Sequence, residues 1–252
     1  MKTLTLNPVS HGGTEETDRP PTRIRASRWR TWRRIGGLAW IVARSLVRGP
    51  GRGWENRARW LQVACQRALR VLDVPCHVSG PVPRRGLLVC NHLSYLDILL
   101  LSATTRCLFV SKSEVRRWPL FGWYARRAGA LFVRRARRRD VQRTGEAMRR
   151  ALEDGALVVL FPEGTTSDGG RVLPFASSLF EPACDTGCPV WAGCVAFELE
   201  QGEVGWEVCY WGDMVLLPHL MRLLGRRGLQ ARLRFTAVRA EAVDRKELGR
   251  CL

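Results

Sequence analysis

His92 and Asp97 lie five positions apart, directly after the apolar run Gly86–Cys90. The run predicts a buried strand, and the carboxyl ends of strands are where open α/β sheets build their sites. A neutral imidazole placed there can take a proton from an attacking hydroxyl, provided that a carboxylate fixes its tautomer and stabilises the imidazolium. The pair therefore predicts general-base catalysis by His92, with Asp97 as the orienting carboxylate.

The same spacing also fits a structural role for Asp97. Ser94 and Asp97 stand three positions apart before an apolar run, which is the arrangement of a helix capping box. A single histidine after a strand is also commonly structural. Spacing alone therefore leaves capping and catalysis open for Asp97, and the two roles can coexist, with one carboxylate oxygen serving each.

A second polar loop follows the apolar run 156–161. From Phe161 it reads Phe-Pro-Glu-Gly-Thr-Thr-Ser-Asp-Gly, which combines a carboxylate, glycine backbone and adjacent hydroxyls. The alternative is an ordinary turn, because glycine, serine and aspartate are common turn residues.

A group of closely spaced arginines, the arginine belt, is the third feature that could take part in binding or catalysis. Its members are Arg116, Arg117, Arg126, Arg127, Arg134, Arg135, Arg137, Arg138 and Arg139. An arginine fork can hold a phosphate through two parallel hydrogen bonds. One phosphate needs only one or two such forks, so most of the belt is expected to be a solvated face.

Short apolar runs alternate with helical patterns from Pro75 onward, and these elements must position the polar loops. The predicted strands are 86–90, 107–110, 130–133, 156–161, 190–197, 206–211 and 232–238, and the predicted helices are 96–103, 120–127, 138–153, 177–186 and 216–224. Such alternation predicts an α/β domain over residues 75–252, with a mixed, mostly parallel sheet flanked by helices.

The N-terminal part of the chain has a different pattern. Residues 1–28 show no hydrophobic period and are expected to be disordered. Two amphipathic helices are predicted over residues 29–74, on either side of a glycine-proline-glycine turn. The predicted apolar face of the first helix is Ile35, Leu38, Ala39, Val42 and Leu46, with arginines opposite and Trp29, Trp32 and Trp40 in or beside it. A basic helix with tryptophans typically lies in a membrane interface; the alternative is that both helices pack on the core.

Charge and cysteine content limit the classes of partner and compartment. The chain has 41 basic and 23 acidic residues, a net charge of +18, which favours nucleic acid, anionic lipid or an acidic carrier protein as partner. A nucleic-acid-binding protein is a remote alternative, because no helix-turn-helix, zinc-finger or RNP pattern is recognisable. Nine cysteines without a CxxC pair favour a reducing compartment. The longest apolar stretch, Ile35 to Val47, is interrupted by Arg44 and is too short to predict a membrane span.

Three sequence blocks, in order, resemble those of the glycerolipid acyltransferases that make phosphatidic acid. Asn91 to Asp97, reading Asn-His-Leu-Ser-Tyr-Leu-Asp, resembles the NHxxxxD block of that family. The stretch 129–135 resembles the second block, whose final arginine falls on Arg135, and the stretch beginning at Phe161 reproduces the FPEGT block. Two departures are an arginine at position 134, where many members carry an acid, and alanine in place of the second proline of the fourth block.

This resemblance implies a lysophospholipid acyltransferase. His92 is then expected to deprotonate the free hydroxyl of 1-acyl-sn-glycerol-3-phosphate, which attacks an acyl thioester and gives phosphatidic acid, while Asp97 orients His92. The implied donor is acyl-CoA or acyl carrier protein, with no cofactor and no metal. Acylation of another lyso-lipid, such as a lyso-ornithine lipid, is the nearer alternative.

The resemblance also implies a set of substrate-binding residues. Arg135, Gly164 and Thr165 are expected to hold the phosphate of the acceptor, and Asn91 and Glu163 complete the predicted set, Glu163 by bracing an arginine. The expected partners are the lysophospholipid, the thioester donor and an anionic membrane surface, with no nucleic acid. The expected location is the cytoplasmic face of the inner membrane, as a peripheral or monotopic protein.

Overall fold

Seven strands form one sheet in the computed structural model, which describes residues 27–134, 138–238 and 245–251. The strands are β1 Cys76–Ser79, β2 Gly86–Cys90, β3 Leu108–Lys112, β4 Leu131–Val133, β5 Leu157–Leu160, β6 Val190–Leu199 and β7 Leu229–Val238. Their order is β1-β7-β6-β2-β5-β3-β4, and β6–β7 is the antiparallel pair among parallel neighbours. The predicted mixed, mostly parallel sheet is confirmed.

Helices cover both faces of this sheet. They are α1 Arg28–Val47, α2 Trp54–Leu72, α3 Leu96–Thr104, α4 Phe121–Ala128, α5 Arg138–Glu153, α6 Glu181–Thr186, α7 Val204–Glu207, α8 Leu216–Gly225 and α9 Arg245–Cys251. Successive side chains of a strand point to opposite faces, so β2 divides its residues between two cores. Leu88 and Cys90 pack with α2, α3 and α8, whereas Leu87 and Val89 pack with α5 and α6.

One predicted strand, 206–211, is wrong. Residues 204–207 form the short helix α7, and the chain then turns, with the indole of Trp211 donating to the carbonyl of Gly205 at 2.8 Å. Val208 and Cys209 are fully buried, which explains the apolar pattern that predicted a strand. Glu207 pairs with Arg226, so this segment is held by local and side-chain contacts and lies outside the sheet order.

The second amphipathic helix, α2, packs its apolar stripe on the core. Leu61, Cys65, Leu69 and Leu72 are buried against the β2 and α3 side chains. This is the alternative that the sequence left open for this helix. The predicted disordered segment lies almost entirely outside the described residues, although Arg28 already belongs to α1.

The buried face of the first helix is only partly the one predicted, because Ile35 and Leu38 pack against the core but the face is rotated away from the other predicted residues. Ala39 and Leu46, placed on the apolar face by the sequence pattern, are exposed, whereas Thr31, Arg34 and Ile41 are buried. The opposite side presents large apolar side chains to solvent at helical spacing: Trp29, Trp32, Trp40 and Val47, exposed by 63% or more. We call these four residues the tryptophan face. Within the described part of the chain, no helix is both long and apolar enough to span a bilayer.

Arg34 explains why α1 is rotated in this way. Its guanidinium is 3% exposed and donates to the carbonyls of Leu224, at 3.2 Å, and Arg226 at the C-terminal end of α8. The last carbonyls of a helix have no partner within the helix, and a cation near them is favoured by the helix dipole. Arg30 donates to the neighbouring carbonyl of Gly225 at 2.9 Å. The C-terminus of α8 thus fixes which side of α1 faces inward.

Replacing Arg34 with methionine should destabilise the fold. The side-chain stem is retained, but two carbonyls are left without their donor, which costs about 1–3 kcal/mol each where the group stays buried. We expect Arg34→Met to lower the free energy of unfolding by about 2–4 kcal/mol in urea denaturation. Arg33→Met, on the exposed side of the same helix, is the control and should change it by less than about 0.5 kcal/mol. Equal effects of the two variants would refute the capping role.

Candidate active site

The pairing of β2 with β5 places two of the predicted site residues, His92 and Glu163, side by side at the same edge of the sheet. Val89 lies opposite Leu160, and His92 and Glu163 each come three residues later. The backbone N–H of His92 accordingly donates to Glu163 Oε1 at 3.1 Å, and Glu163 Oε2 accepts from the N–H of Leu173 at 2.9 Å. Glu163 therefore braces two backbone segments.

The pairing of β2 with β6 is continued by the side chain of Asn91. Cys90 lies opposite Gly193. Beyond that pair, Asn91 Nδ2 donates to the carbonyl of Val195 at 2.9 Å, while Asn91 Oδ1 accepts from the N–H of Val195 at 2.7 Å. This two-point contact fixes the spacing of the strands beside the histidine. The predicted contact of Asn91 with substrate stays a prediction.

His92 and Asp97 meet as the sequence predicted. His92 Nδ1 lies 2.7 Å from Asp97 Oδ2, the side chain of Asp97 is fully buried, and that of His92 is 18% exposed. An ionised carboxylate only accepts hydrogen bonds, so Nδ1 carries the proton and Nε2 is left as the basic nitrogen. The pair thus has the geometry of a general base with its orienting carboxylate.

One oxygen of Asp97 does both of the jobs proposed for the residue. Besides His92, Oδ2 accepts from the backbone N–H groups of Leu93, at 2.7 Å, and Ser94, at 2.9 Å. Within the described residues, Asp97 Oδ1 and the Ser94 hydroxyl have no hydrogen-bond partner. The expectation of one carboxylate oxygen for each role is therefore wrong. Asp97 accepts from the backbone N–H of Ser94, as the acidic residue of a capping box does, and the same oxygen also contacts the His92 ring.

Two further contacts limit the movement of His92. Its ring stacks on Phe161, with centroids 3.9 Å apart and planes 11° from parallel. Its carbonyl accepts from the N–H of Ser167 at 2.9 Å. The loop after β5 therefore supports the imidazole through ring contact and through its backbone, which explains why the FPEGT stretch stands at this place.

The remaining predicted binding residues also follow strands β4 and β5. Gly164 has a φ of +72°, a conformation that favours glycine, in a tight turn beside the exposed Thr165. Arg135 lies outside the described residues, so its contact with the acceptor phosphate stays a prediction. Its neighbour Arg134 forms an exposed ion pair with Asp140 at 2.8 Å.

Comparison with known proteins identifies the family. The profile of the acyltransferase family matches residues 73–195. The lyso-ornithine lipid O-acyltransferase of Rhizobium meliloti is 36% identical over 221 residues, covering 80% of this chain and 73% of that protein. The 1-acyl-sn-glycerol-3-phosphate acyltransferase of Neisseria meningitidis is 35% identical over 199 residues, covering 77% and 78%. This chain belongs to the lysolipid acyltransferase family.

The crystal structure of the Thermotoga maritima 1-acyl-sn-glycerophosphate acyltransferase has the same fold as this acyltransferase. The TM-score is 0.57 at 23% identity, and the match covers 88% of this chain and 89% of the other. The fold similarity extends over the helices and the sheet together. It confirms the predicted fold class.

The acyltransferase contains a buried cluster that the sequence did not predict. The hydroxyl of Tyr95 lies 3.1 Å from His219 Nδ1 on α8, and the N–H of Tyr210 donates to the carbonyl of Leu93 at 2.8 Å. Burial, together with the charge of Arg222, lowers the pKa of His219 to about 4, so this imidazole is neutral near pH 7. The cluster anchors the loop that carries His92 and Asp97 to α8. Tyr95 and His219 are 124 positions apart, and no spacing rule links them.

Cys90 is too deeply buried to act as a nucleophile. It is 2% exposed, and burial raises the pKa of its thiol well above the ordinary value, with a further contribution from the charge of Asp97. The thiolate is the reactive form of cysteine. A role for Cys90 as a nucleophile is therefore disfavoured.

Asp97→Asn separates the charge of this carboxylate from its shape. The asparagine carbonyl can still accept from Leu93 and Ser94, but the negative charge that stabilises an imidazolium is lost. We expect kcat to fall by roughly 10³–10⁴, as for comparable catalytic carboxylates, with a small change in Tm.

Asp97→Ala is the matched control for that variant. It removes the charge and the cap, and should lower both kcat and the free energy of unfolding, the latter by about 1–2 kcal/mol. Steady-state kinetics and thermal melts of the unmodified protein, Asp97→Asn and Asp97→Ala distinguish the orienting role from the capping role. Near-normal turnover by Asp97→Asn would show that the carboxylate only caps.

Proposed function

We propose that this acyltransferase moves an acyl chain from an acyl thioester to the free hydroxyl of 1-acyl-sn-glycerol-3-phosphate, giving phosphatidic acid. The observation that carries the proposal is the 2.7 Å contact between His92 Nδ1 and Asp97 Oδ2, because it leaves Nε2 basic and fixed at the carboxyl edge of the sheet. The donor would be acyl-CoA or acyl carrier protein. The proposed mechanism uses no cofactor.

The proposed reaction proceeds by direct transfer. His92 Nε2 takes the proton of the acceptor hydroxyl as its oxygen bonds to the thioester carbonyl carbon. When the tetrahedral intermediate collapses, the C–S bond breaks and the proton passes to the leaving thiolate. Asp97 stabilises the transient imidazolium, and stacking on Phe161 keeps the ring in place. No acyl-enzyme is needed, in keeping with the buried Cys90.

A lyso-ornithine lipid is the second candidate acceptor. Three similar proteins named lyso-ornithine lipid O-acyltransferase, from Rhizobium meliloti, Pseudomonas aeruginosa and Rhodobacter capsulatus, are 36%, 35% and 32% identical to this chain. These values bracket the 35% of the Neisseria meningitidis 1-acyl-sn-glycerol-3-phosphate enzyme. The two headgroups differ in charge, so an acceptor panel can distinguish them.

The function is tested by offering the purified protein a panel of lyso-lipids with acyl-CoA and acyl carrier protein donors. We expect turnover with 1-acyl-sn-glycerol-3-phosphate, and a loss of about 10²–10⁴ in kcat for His92→Ala, the range for removal of a general base. His77→Ala, at an exposed position on β1, is the control and should retain full activity. Turnover confined to lyso-ornithine lipid would establish the second acceptor, and full activity of His92→Ala would refute the mechanism.

We also propose that α1 holds the enzyme on an anionic membrane, at the cytoplasmic face of the inner membrane. The support is the tryptophan face, which is directed away from the core, combined with a net charge of +18. Tryptophan prefers the interface between bilayer and water, and arginine is attracted to anionic lipid. Such binding would present a lipid acceptor to the site without a soluble carrier.

Trp32→Gln tests this attachment. Burying a large apolar side chain is worth about 1.5–3 kcal/mol, so we expect partition into anionic vesicles of phosphatidylcholine and phosphatidylglycerol to fall by roughly tenfold or more. Val78→Gln, which changes an exposed apolar residue of β1, is the control and should change partition by less than about twofold. The measurement is co-sedimentation with vesicles at fixed lipid concentration. Equal loss in both variants would locate the contact elsewhere.

A further inference from the structure

A cavity of about 270 Å³ lies between α1, α2 and the turn that joins them. Its principal side chains are Arg44 of α1, Arg48 directly after that helix, and Asn56, Arg59, Trp60 and Arg67 of α2. None of its lining residues is acidic. Pockets for whole small molecules usually measure about 300–1,000 Å³, so this one suits a single headgroup.

The four arginines of this cavity have no counter-charge in the described part of the chain. No ion pair there includes Arg44, Arg48, Arg59 or Arg67. The single acid of α2, Glu55, does not line the cavity. Four cations gathered in one concavity repel each other and attract an anion.

One wall of the cavity is held in place by Trp60. The indole of Trp60 donates to the carbonyl of Arg48 at 2.7 Å and stacks on Tyr124 with centroids 5.2 Å apart. The N-terminus of α2 adds positive character, because Gly53 precedes it without a side-chain cap and leaves N–H groups unpaired. A concave site with several guanidinium groups and no ion pair favours a compact anion with several acceptor oxygens.

The position of the cavity indicates where that anion comes from. Trp40 and Arg44 are four residues apart and therefore neighbours along one row of α1, and Arg48 follows as the residue that ends the helix. Trp40 is 69% exposed and belongs to the tryptophan face. The row thus leads from the proposed bilayer contact into the cavity. Interfacial tryptophans lie at the level of the headgroups, so a lipid phosphate would meet the arginines at the same depth.

We propose that this cavity binds the phosphate of a bilayer phospholipid headgroup, held by the guanidinium groups of Arg44, Arg48, Arg59 and Arg67. The site is separate from the catalytic pair, and the inference rests on the proposed membrane contact of α1 and not on acyl transfer. Inorganic phosphate offers the same oxygens but lacks the acyl chains that contact the tryptophan face. Lipids with a phosphate in the headgroup would therefore bind more tightly than lipids without one.

The test is a thermal-shift titration of the purified full chain with dihexanoylphosphatidylglycerol below its micelle concentration. A ligand that binds the native state raises Tm. Using this soluble lipid removes the bilayer, so failure here can be told apart from failure of vesicle binding or of catalysis. A parallel titration with inorganic phosphate at equal concentrations separates the two sources of the anion.

Two double variants with the same change in net charge decide whether the cavity is a site. Arg44→Gln/Arg67→Gln removes two cavity cations, and Arg33→Gln/Arg70→Gln removes two exposed cations from the same two helices outside it. We expect the cavity variant to weaken lipid binding roughly tenfold or more, because the loss of even one charged hydrogen bond costs about that factor, and the control by less than about twofold. Without lipid, Tm of the cavity variant should not fall, since like charges are removed.

Three results would overturn the proposal. Equal weakening of lipid binding in the two double variants would show diffuse attraction to the whole surface. A Tm shift with inorganic phosphate as large as that with the lipid would make this a general anion site. A lower Tm of the cavity variant without lipid would show that the arginines are structural. Arg44→Lys/Arg67→Lys, which keeps the charge and loses the planar fork, should bind the lipid with intermediate affinity.

Discussion

The structure of the active site depends on one carboxylate oxygen. Asp97 Oδ2 accepts from the His92 imidazole and from two backbone N–H groups, so the atom that orients the base also folds the loop that carries it. Three donors to one oxygen of this fully buried carboxylate compensate part of its loss of water. The contact that orients His92 and the contacts that hold the loop are therefore made in a single geometry, and this is why spacing alone could not separate the two proposed roles of Asp97.

The parts of the site that could be predicted are those fixed by strand periodicity and register. Apolar runs located β2 and β5, and their parallel pairing carries His92 and Glu163 to the same edge. The predicted helix Arg138–Glu153 coincides with α5 for the same reason, since its apolar residues keep helical spacing. Spacing could not predict that Glu163 and Asn91 form hydrogen bonds with backbone groups. Side chains of these types bind substrate and main chain equally well.

The errors have a common physical cause, namely contacts between residues distant in sequence. Arg34 lies among several arginines, a pattern typical of a solvent-exposed surface. It is buried because carbonyls at the end of α8 accept its hydrogen bonds. The stretch 206–211 has the apolar content of a strand, but its burial comes from packing under the site loop, to which Tyr210 is bonded. The His219–Tyr95 contact belongs to the same class. Local patterns carry no information on partners of this kind.

The hydrogen bond between Arg34 and the Leu224 carbonyl at the end of α8 has a consequence for the nascent chain. Its two residues are 190 positions apart. At about 5–20 residues per second, synthesis of the intervening segment takes roughly 10–40 s. Throughout that interval the carbonyls that will bury Arg34 do not yet exist. The docking of α1 on α8 is therefore a late event in folding, and until it occurs neither face of α1 is covered by the end of α8.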